Sequence, residues 1–211
     1  MHDYQTRFLE LAEQCGVLRF GDFTLKSGRQ SPYFFNLGNI NSGAAMQALA
    51  DAYADAILAA KLEFDMLFGP AYKGIPLVTA VALALAQRGH DYPFAFNRKE
   101  AKDHGEGGNI VGAPLRGRVL ILDDVLTAGT AAREAITLIR NAGAEPVAAM
   151  LAFDRQEKGQ GTQSATQELA KEQQLAVAAL VGLSDLEAWL RASGDADKHA
   201  QIARYREQYG V

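Results

Sequence analysis

The stretch Val119-Leu-Ile-Leu-Asp123-Asp124-Val-Leu-Thr127-Ala-Gly-Thr130-Ala131 decides the fold. It opens with a run of large apolar residues, which is typical of a strand buried on both faces of a sheet. Two carboxylates end this run, and a short turn of threonines and a glycine follows. Helical spacing predicts a helix over Thr130–Asn141, which Gly143 ends. A buried strand that leads through a turn into a helix is the repeating unit of a parallel α/β sheet.

The rest of the chain repeats this alternation. Runs of consecutive apolar residues predict strands, and apolar residues at helical spacing predict the helices between them. The predicted strands are Phe64–Phe68, Tyr92–Phe96, Arg118–Asp123, Pro146–Phe153 and Leu175–Val181, and the other helices are residues 3–14, Ser42–Ala60, Ile75–Arg88, Gln163–Gln173 and two short ones at the end. We therefore expect an α/β protein with a central, mostly parallel sheet flanked by helices.

Two segments depart from the alternation. After the first helix come three short pieces with strand character, Val17–Phe20, Asp22–Leu25 and Ser31–Phe35. Later, Lys99–Pro114 mixes charged residues with four glycines and fits neither helix nor strand. Loops longer than about 12 residues inside a compact domain are usually lids or binding loops, so this segment is predicted to be a lid.

Composition limits the classes of partner. The 211 residues carry 21 basic and 25 acidic side chains, and a net charge of −4 offers no electrostatic reason to bind nucleic acid. The single cysteine, Cys15, excludes an intramolecular disulfide and favours a reducing compartment. No basic leader with an apolar core opens the chain, and the longest nearly apolar stretch, Ile75–Ala86, is too short for a bilayer. We expect a cytoplasmic protein that does not bind membranes.

The chemistry is expected at the turn that follows Asp123 and Asp124. Ligands of open α/β sheets bind outside the carboxyl ends of the strands. Backbone N–H groups, hydroxyls and a helix N-terminus attract a phosphate there, and Gly129 permits a positive φ. The two carboxylates offer acceptors for sugar hydroxyls. The combination suits a phosphorylated sugar.

Two simpler interpretations of the acidic pair are a solvated turn and the acidic pocket of a receiver domain. A receiver domain would place its acidic pair after the first strand and a lone phosphoacceptor aspartate later. Here the pair lies past the middle of the chain, and a threonine- and glycine-rich turn follows it. The order of the motifs favours the phosphorylated sugar.

The thirteen quoted residues resemble the phosphoribosyl pyrophosphate (PRPP) motif of type I phosphoribosyltransferases. Other segments resemble the orotate phosphoribosyltransferases of bacteria; they are Phe20–Arg29, Ser31–Asn36, Phe68–Gly74, Phe96–Gly108 and Asp154–Glu157. The resemblance covers the whole chain. It implies one domain over residues 1–211, with an N-terminal hood over about 1–60, a PRPP-binding core over about 61–211 and a flexible lid over about 99–114.

The resemblance implies transfer of ribose 5-phosphate from PRPP to N1 of orotate. Orotidine 5′-monophosphate and pyrophosphate form, as in pyrimidine biosynthesis. The transition state resembles an oxocarbenium ion beside a departing polyanion, so catalysis needs cations, nearby carboxylates and exclusion of water. The implied cofactor is Mg²⁺, held mainly by PRPP and water with Asp123 and Asp124 nearby and no direct protein ligand.

The resemblance also assigns residue roles. The implied catalytic residues are Asp123, Asp124, Lys102 and His104. The implied PRPP contacts are these four together with Lys26, Tyr72, Lys73, Arg98, Lys99, Val125, Leu126, Thr127, Ala128, Gly129, Thr130 and Ala131. The implied orotate contacts are Lys26, Phe34, Phe35, Thr127 and Arg155. Both phenylalanines are expected to contact orotate through the backbone, and one of them also through packing of its ring. A guanidinium suits the planar, anionic orotate because it can donate two parallel hydrogen bonds.

A homodimer is implied as well, because the lid reaches the neighbouring subunit's site in this family. Lys99, Lys102 and His104 are expected to act across the interface, and Arg98 within its own chain. Two alternatives remain open. One is an enzyme for another base, such as uracil or a purine, since the PRPP loop does not discriminate between acceptors. The other is a regulator that senses PRPP, which would need a DNA-binding segment or a basic face.

Overall fold

The computed structural model describes residues 1–25, 28–102, 108–126, 129–159 and 161–211. In chain order its elements are Asp3–Gln14 (α1), Leu18–Thr24 (β1), Gln30–Phe35 (β2), Gly43–Ala60 (α2), Met66–Gly69 (β3), Gly74–Gln87 (α3), Phe94–Lys102 (β4), Gly108–Gly112 (β5), Arg118–Asp123 (β6), Thr130–Asn141 (α4), Glu145–Asp154 (β7), Ala165–Gln173 (α5), Ala176–Gly182 (β8), Leu183–Ser193 (α6) and Ala196–Tyr209 (α7). No helix within these ranges is long and apolar enough to span a membrane.

Six strands form the central sheet in the order β5-β4-β3-β6-β7-β8. All neighbouring pairs are parallel except β4 with β5, which is antiparallel. The predicted α/β architecture with a mostly parallel sheet is confirmed. The strand β6 lies at the centre, and its observed bounds and those of α4 are the predicted ones.

The alternation of side chains along β6 divides the core in two. Leu120 and Leu122 pack with residues of α1, α2, α3, α6 and α7. Val119 and Ile121 point the other way and pack with residues of α4 and α5. Helices therefore cover both faces, which is why the strand is apolar at every position.

The N-terminal pieces form a separate two-stranded antiparallel sheet of β1 and β2. The two predicted pieces before Leu25 are a single strand, whose register shifts between Phe20 and Phe23. The ring of Phe35 stacks on Phe153 of β7 with centroids 4.9 Å apart, and this contact joins the small sheet to the central one.

The predicted irregular segment Lys99–Pro114 is mostly strand where it is described. The strand β4 continues to Lys102, and β5 returns beside it, with Asn97 opposite Ile110. Charged residues and glycines have low strand propensity, so this hairpin depends on pairing between its strands and not on an apolar pattern. Residues 103–107, the centre of the predicted lid, lie outside the described residues.

Candidate active site

The ends of β3 and β6 bring the predicted residues together. The two strands are parallel neighbours, with Phe68 opposite Ile121, so the turns that follow them meet at one edge of the sheet. A Cβ atom at Gly69 would collide with the backbone carbonyl of Gly74. Only glycine permits this close approach, which folds the chain sharply and places Lys73 directly before α3.

Lys73 faces the acidic pair. Its Nζ lies 2.6 Å from Oδ2 of Asp124 and 3.4 Å from Oδ1 of Asn36. The Asp123 side chain is buried, with its residue 8 % exposed. Burial, together with the neighbouring charge of Asp124, raises the pKa of the Asp123 carboxyl to about 7. One ammonium thus faces a pair of carboxyl groups.

Buried hydrogen bonds hold the acidic turn in place. The Oη of Tyr53, in α2, donates to the backbone carbonyl of Asp123 at 2.7 Å. The backbone N–H of Ala152, in β7, donates to the carbonyl of Asp124 at 2.9 Å. The N–H of Asp124 donates to Oδ1 of Asp123 at 2.9 Å. The carboxylates are therefore positioned by α2, by β7 and by their own backbone, before any ligand binds.

The start of α4 supplies the anion side of the site. Gly129 adopts the predicted positive φ, +71°, at the N-cap. Within the described residues no side chain caps the first N–H groups of this helix. Uncapped N–H groups at a helix N-terminus attract an anion. Thr127 and Ala128, which are predicted to contribute to the same cradle, lie outside the described residues.

A cleft of about 210 Å³ lies beside this helix terminus. The residues that line it are Pro70, Ala71, Asn97, Lys99, Thr130, Ala131, Glu134 and Ala135. The Nζ of Lys99 lies 5.1 Å from the ring centroid of Tyr72 in the same chain, and Tyr72 is 65 % exposed. The Nη1 of Arg98 is buried and has no hydrogen-bond partner among the described residues. Three of the predicted PRPP residues, Lys99, Thr130 and Ala131, thus line this cleft.

Among the described residues, the predicted orotate contacts lie in β2 and directly after β7. Arg155 follows this strand, and its guanidinium stands 4.7 Å from the ring centroid of Tyr33. Phe34 is half-buried, with the Arg19 guanidinium 5.3 Å from its ring, whereas Phe35 is buried in the core. Lys26 and His104 lie outside the described residues.

The sequence reasoning missed Glu157. The motif Asp154–Glu157 was recognised, but no role was given to its last residue. Its Oε1 lies 2.7 Å from Nη2 of Arg155 and accepts a hydrogen bond from Nε at 3.0 Å. The only signal in the sequence was that Arg155 and Glu157 are two positions apart directly after a strand. At that spacing a turn can bring two opposite charges to the same side.

Similarity to known proteins agrees with this geometry. Residues 36–184 match the model of the phosphoribosyl transferase domain. The chain is 58 % identical to the orotate phosphoribosyltransferase of Marinobacter nauticus and 57 % identical to that of Thioalkalivibrio sulfidiphilus, in both cases over the full length of both chains. The chain belongs to the orotate phosphoribosyltransferase family. The crystal structure of the Francisella tularensis member is similar with a TM-score of 0.88 at 41 % identity, covering 97 % of this chain and 99 % of that one. The predicted family and fold class are confirmed.

Proposed function

We propose that this chain transfers ribose 5-phosphate from PRPP to N1 of orotate, forming orotidine 5′-monophosphate and pyrophosphate in pyrimidine biosynthesis. The observation that carries the proposal is the meeting of Lys73, the Asp123–Asp124 pair and the uncapped start of α4 at one sheet edge. A substrate with a phosphate, two ribose hydroxyls and a pyrophosphate requires these donors and acceptors together. Membership of the family supports orotate as the acceptor.

The residues divide the work on PRPP. The N–H groups at the start of α4 bind the 5′-phosphate, and the two aspartates accept hydrogen bonds from the ribose hydroxyls. Lys73 contacts the pyrophosphate as a point charge and stabilises the negative charge that develops as it departs. Tyr72 and Arg98 directly follow the cleft-lining residues Ala71 and Asn97, and we propose that they complete the PRPP site of their own chain.

Mg²⁺ is the proposed cofactor. Among the described residues no group of three or more His, Cys, Asp or Glu side chains could hold a metal ion. The carboxylate oxygens of Asp123 and Asp124 nevertheless fit the donor preference of Mg²⁺, which usually takes one or two carboxylates together with substrate phosphates and water. When bound, the ion would neutralise phosphate charge, and the two aspartates would lie nearby and contact it through water.

We propose a homodimer in which Lys99, Lys102 and His104 serve the neighbouring site. An open groove of about 660 Å³ on α3 supports an interface; it is lined by Ile75, Pro76, Thr79, Ala80, Ala82, Leu83, Ala86, Asp91, Tyr92 and Phe94. Leu83 in this groove is 61 % exposed. Apolar surface of this kind suits a self-complementary two-fold contact. The cytoplasm is the proposed location, in keeping with the lone Cys15.

The assay that tests the function follows orotate consumption with PRPP and Mg²⁺, with uracil and adenine in parallel by release of pyrophosphate. We expect the protein to consume orotate and to leave uracil and adenine unchanged. Turnover of uracil or adenine instead of orotate would contradict the proposal that orotate is the acceptor. Binding of PRPP without turnover of any base would contradict an enzyme and favour a sensor.

The shared site has a separate test. Lys102→Ala and Asp124→Asn protomers are each expected to be nearly inactive alone. Mixed dimers contain one site with both native residues, so mixing should restore part of the activity. Mixed dimers that form but stay inactive would contradict the proposal that the lid serves the neighbouring subunit.

A further inference from the structure

Glu157 is the centre of a half-buried cluster beside the proposed orotate site. Its side chain is 11 % exposed. Besides Arg155, its Oε1 accepts hydrogen bonds from the hydroxyls of Tyr205 at 2.8 Å and Tyr33 at 3.1 Å. Its Oε2 accepts from Nη1 of Arg29 at 3.1 Å. One carboxylate thus meets two guanidinium groups and two phenols.

These partners come from separate parts of the chain. Arg29 closes the turn between β1 and β2, where the N–H of Leu25 donates to its carbonyl at 2.9 Å. Its guanidinium also stands 4.5 Å from the ring centroid of Tyr209, and its Nη2 donates to the carbonyl of Lys158 at 3.2 Å. The turn between β1 and β2 is therefore joined to the cluster.

The C-terminal segment, Tyr205–Val211, holds the loop of Glu157 through the backbone. Glu157 and Gly210 form an antiparallel bridge. The N–H of Lys158 donates to the carbonyl of Tyr209 at 2.8 Å, and the N–H of Val211 donates to the carbonyl of Gln156 at 3.0 Å. These bonds fix the direction of the loop that carries Arg155 and Glu157.

We infer that Glu157 is a positioning residue for the acceptor carboxylate and that the C-terminal segment keeps it in place. The inference rests on the proposed function, in which Arg155 meets orotate. Glu157 holds one edge of the Arg155 guanidinium, while Tyr33 covers its face. An arginine restrained in this way loses little side-chain entropy when it binds a planar anion.

The cluster also has a positive charge and a hydrogen-bond donor that are available to bind an anion. Two arginines face one carboxylate, so a positive charge remains after Glu157 is paired. Nη2 of Arg155 is buried and lies 2.7 Å from Oε1, but no acceptor within the described residues meets it with hydrogen-bond geometry. A substrate carboxylate supplies the missing negative charge and acceptor in a site already shielded from water.

The test compares Glu157→Gln with Glu187→Gln. Glu187 is a matched control because it is 13 % exposed and also pairs with two arginines, Arg191 and Arg206, but between α6 and α7. The expected result for Glu157→Gln is an orotate KM raised about tenfold, the scale for losing a hydrogen bond to a charged group, with the PRPP KM within twofold of wild type. Glu187→Gln should change neither KM. An unchanged orotate KM, a lowered one, or an equal rise in both KM values in Glu157→Gln would overturn the inference.

A milder variant covers the case in which Glu157→Gln does not fold. Tyr205→Phe removes one hydroxyl donor to Glu157 and keeps the ring; about a threefold rise in orotate KM is expected. Tyr4→Phe, whose hydroxyl makes no hydrogen bond within the described chain, is its control and should leave both KM values unchanged. Equal values in the two variants would overturn the role of the C-terminal segment. Failure of wild-type protein to consume orotate would instead overturn the proposed function, and this inference with it.

Discussion

The two polar centres of the candidate site have opposite charge imbalances. At the acidic centre, Asp123 and Asp124 face one lysine, Lys73. At the basic centre, Arg29 and Arg155 face one carboxylate, Glu157. The acidic centre carries an excess negative charge once the pH exceeds the pKa of Asp123, about 7, and the basic centre carries an excess positive charge. A ligand of the opposite sign stabilises each centre. The acidic centre therefore suits ribose hydroxyls and a hydrated cation, and the basic centre suits a carboxylate.

The centres also differ in how the chain builds them. The acidic pair and the start of α4 come from one short stretch. The basic centre joins a turn of the small sheet, the loop after β7 and the C-terminal helix. The difference predicts that changes at the acidic centre affect PRPP chemistry, whereas changes at the basic centre affect the acceptor.

The largest effect is expected for Lys73→Ala. Removing the only described cation beside Asp124 leaves two carboxylates near the departing pyrophosphate, and turnover should fall about 10²-fold or more. Steady-state assays with saturating PRPP measure this. Lys171→Ala, on the exposed side of α5, is the control and should behave as wild type. A Lys73→Ala enzyme with normal turnover would remove Lys73 from the mechanism.

Arg155→Ala should raise the orotate KM about 10- to 50-fold and the PRPP KM by less than threefold. The variant removes a charge-assisted contact to the acceptor and leaves the acidic centre intact. Arg191→Ala serves as a control, since Arg191 is exposed and pairs with Glu187 one helical turn away in α6. Equal changes in the two KM values would contradict the division of labour between the centres.

The raised pKa of Asp123 predicts a dependence of stability on pH. The folded protein keeps this proton up to about pH 7, while the unfolded chain releases it near pH 4, so unfolding releases a proton between these values. The free energy of unfolding should therefore fall as pH rises through this window, and by about 2 kcal/mol between pH 5 and pH 8 relative to Asp123→Asn.

Urea unfolding of both proteins without substrates, at pH 5 and pH 8, gives this difference. Asparagine keeps the oxygen that accepts from the N–H of Asp124 but does not titrate. Titrations elsewhere in the chain cancel in the comparison. Parallel pH profiles would show that Asp123 is ionised in the folded protein.

The smallest effect is expected for Tyr53→Phe. The loss of the hydroxyl that donates to the carbonyl of Asp123 should lower the free energy of unfolding by about 1 kcal/mol. Urea denaturation measures it, and orotate KM should not change, because Tyr53 supports only the acidic centre. A selective rise in orotate KM would mean that the two centres are coupled.

Local patterns predicted the acidic centre well. The bounds of β6 and α4 and the positive φ of Gly129 all follow from residues within a few positions of each other. The spacing of apolar residues indicates which face of a helix or strand is buried, and turn residues indicate where the chain must bend. A motif confined to one strand, turn and helix carries both kinds of information.

The hairpin of β4 and β5 shows where such patterns fail. Its glycines and charged residues predicted an irregular loop, since apolar residues recur neither at helical spacing nor at every second position. Pairing between the two strands supplies the backbone hydrogen bonds, and this pairing is not encoded in the apolar pattern of either strand.

The sequence by itself determined the parallel sheet, the order of its elements, the family and the acidic pair at the end of β6, because each depends on residues close together in the chain. Only the tertiary structure decided the cluster around Glu157. Tyr33 and Arg29 lie 124 and 128 residues from Glu157, and Tyr205 lies 48 residues beyond it. No local sequence pattern predicts such contacts, since they form only when the small sheet and the last helix pack against the loop after β7.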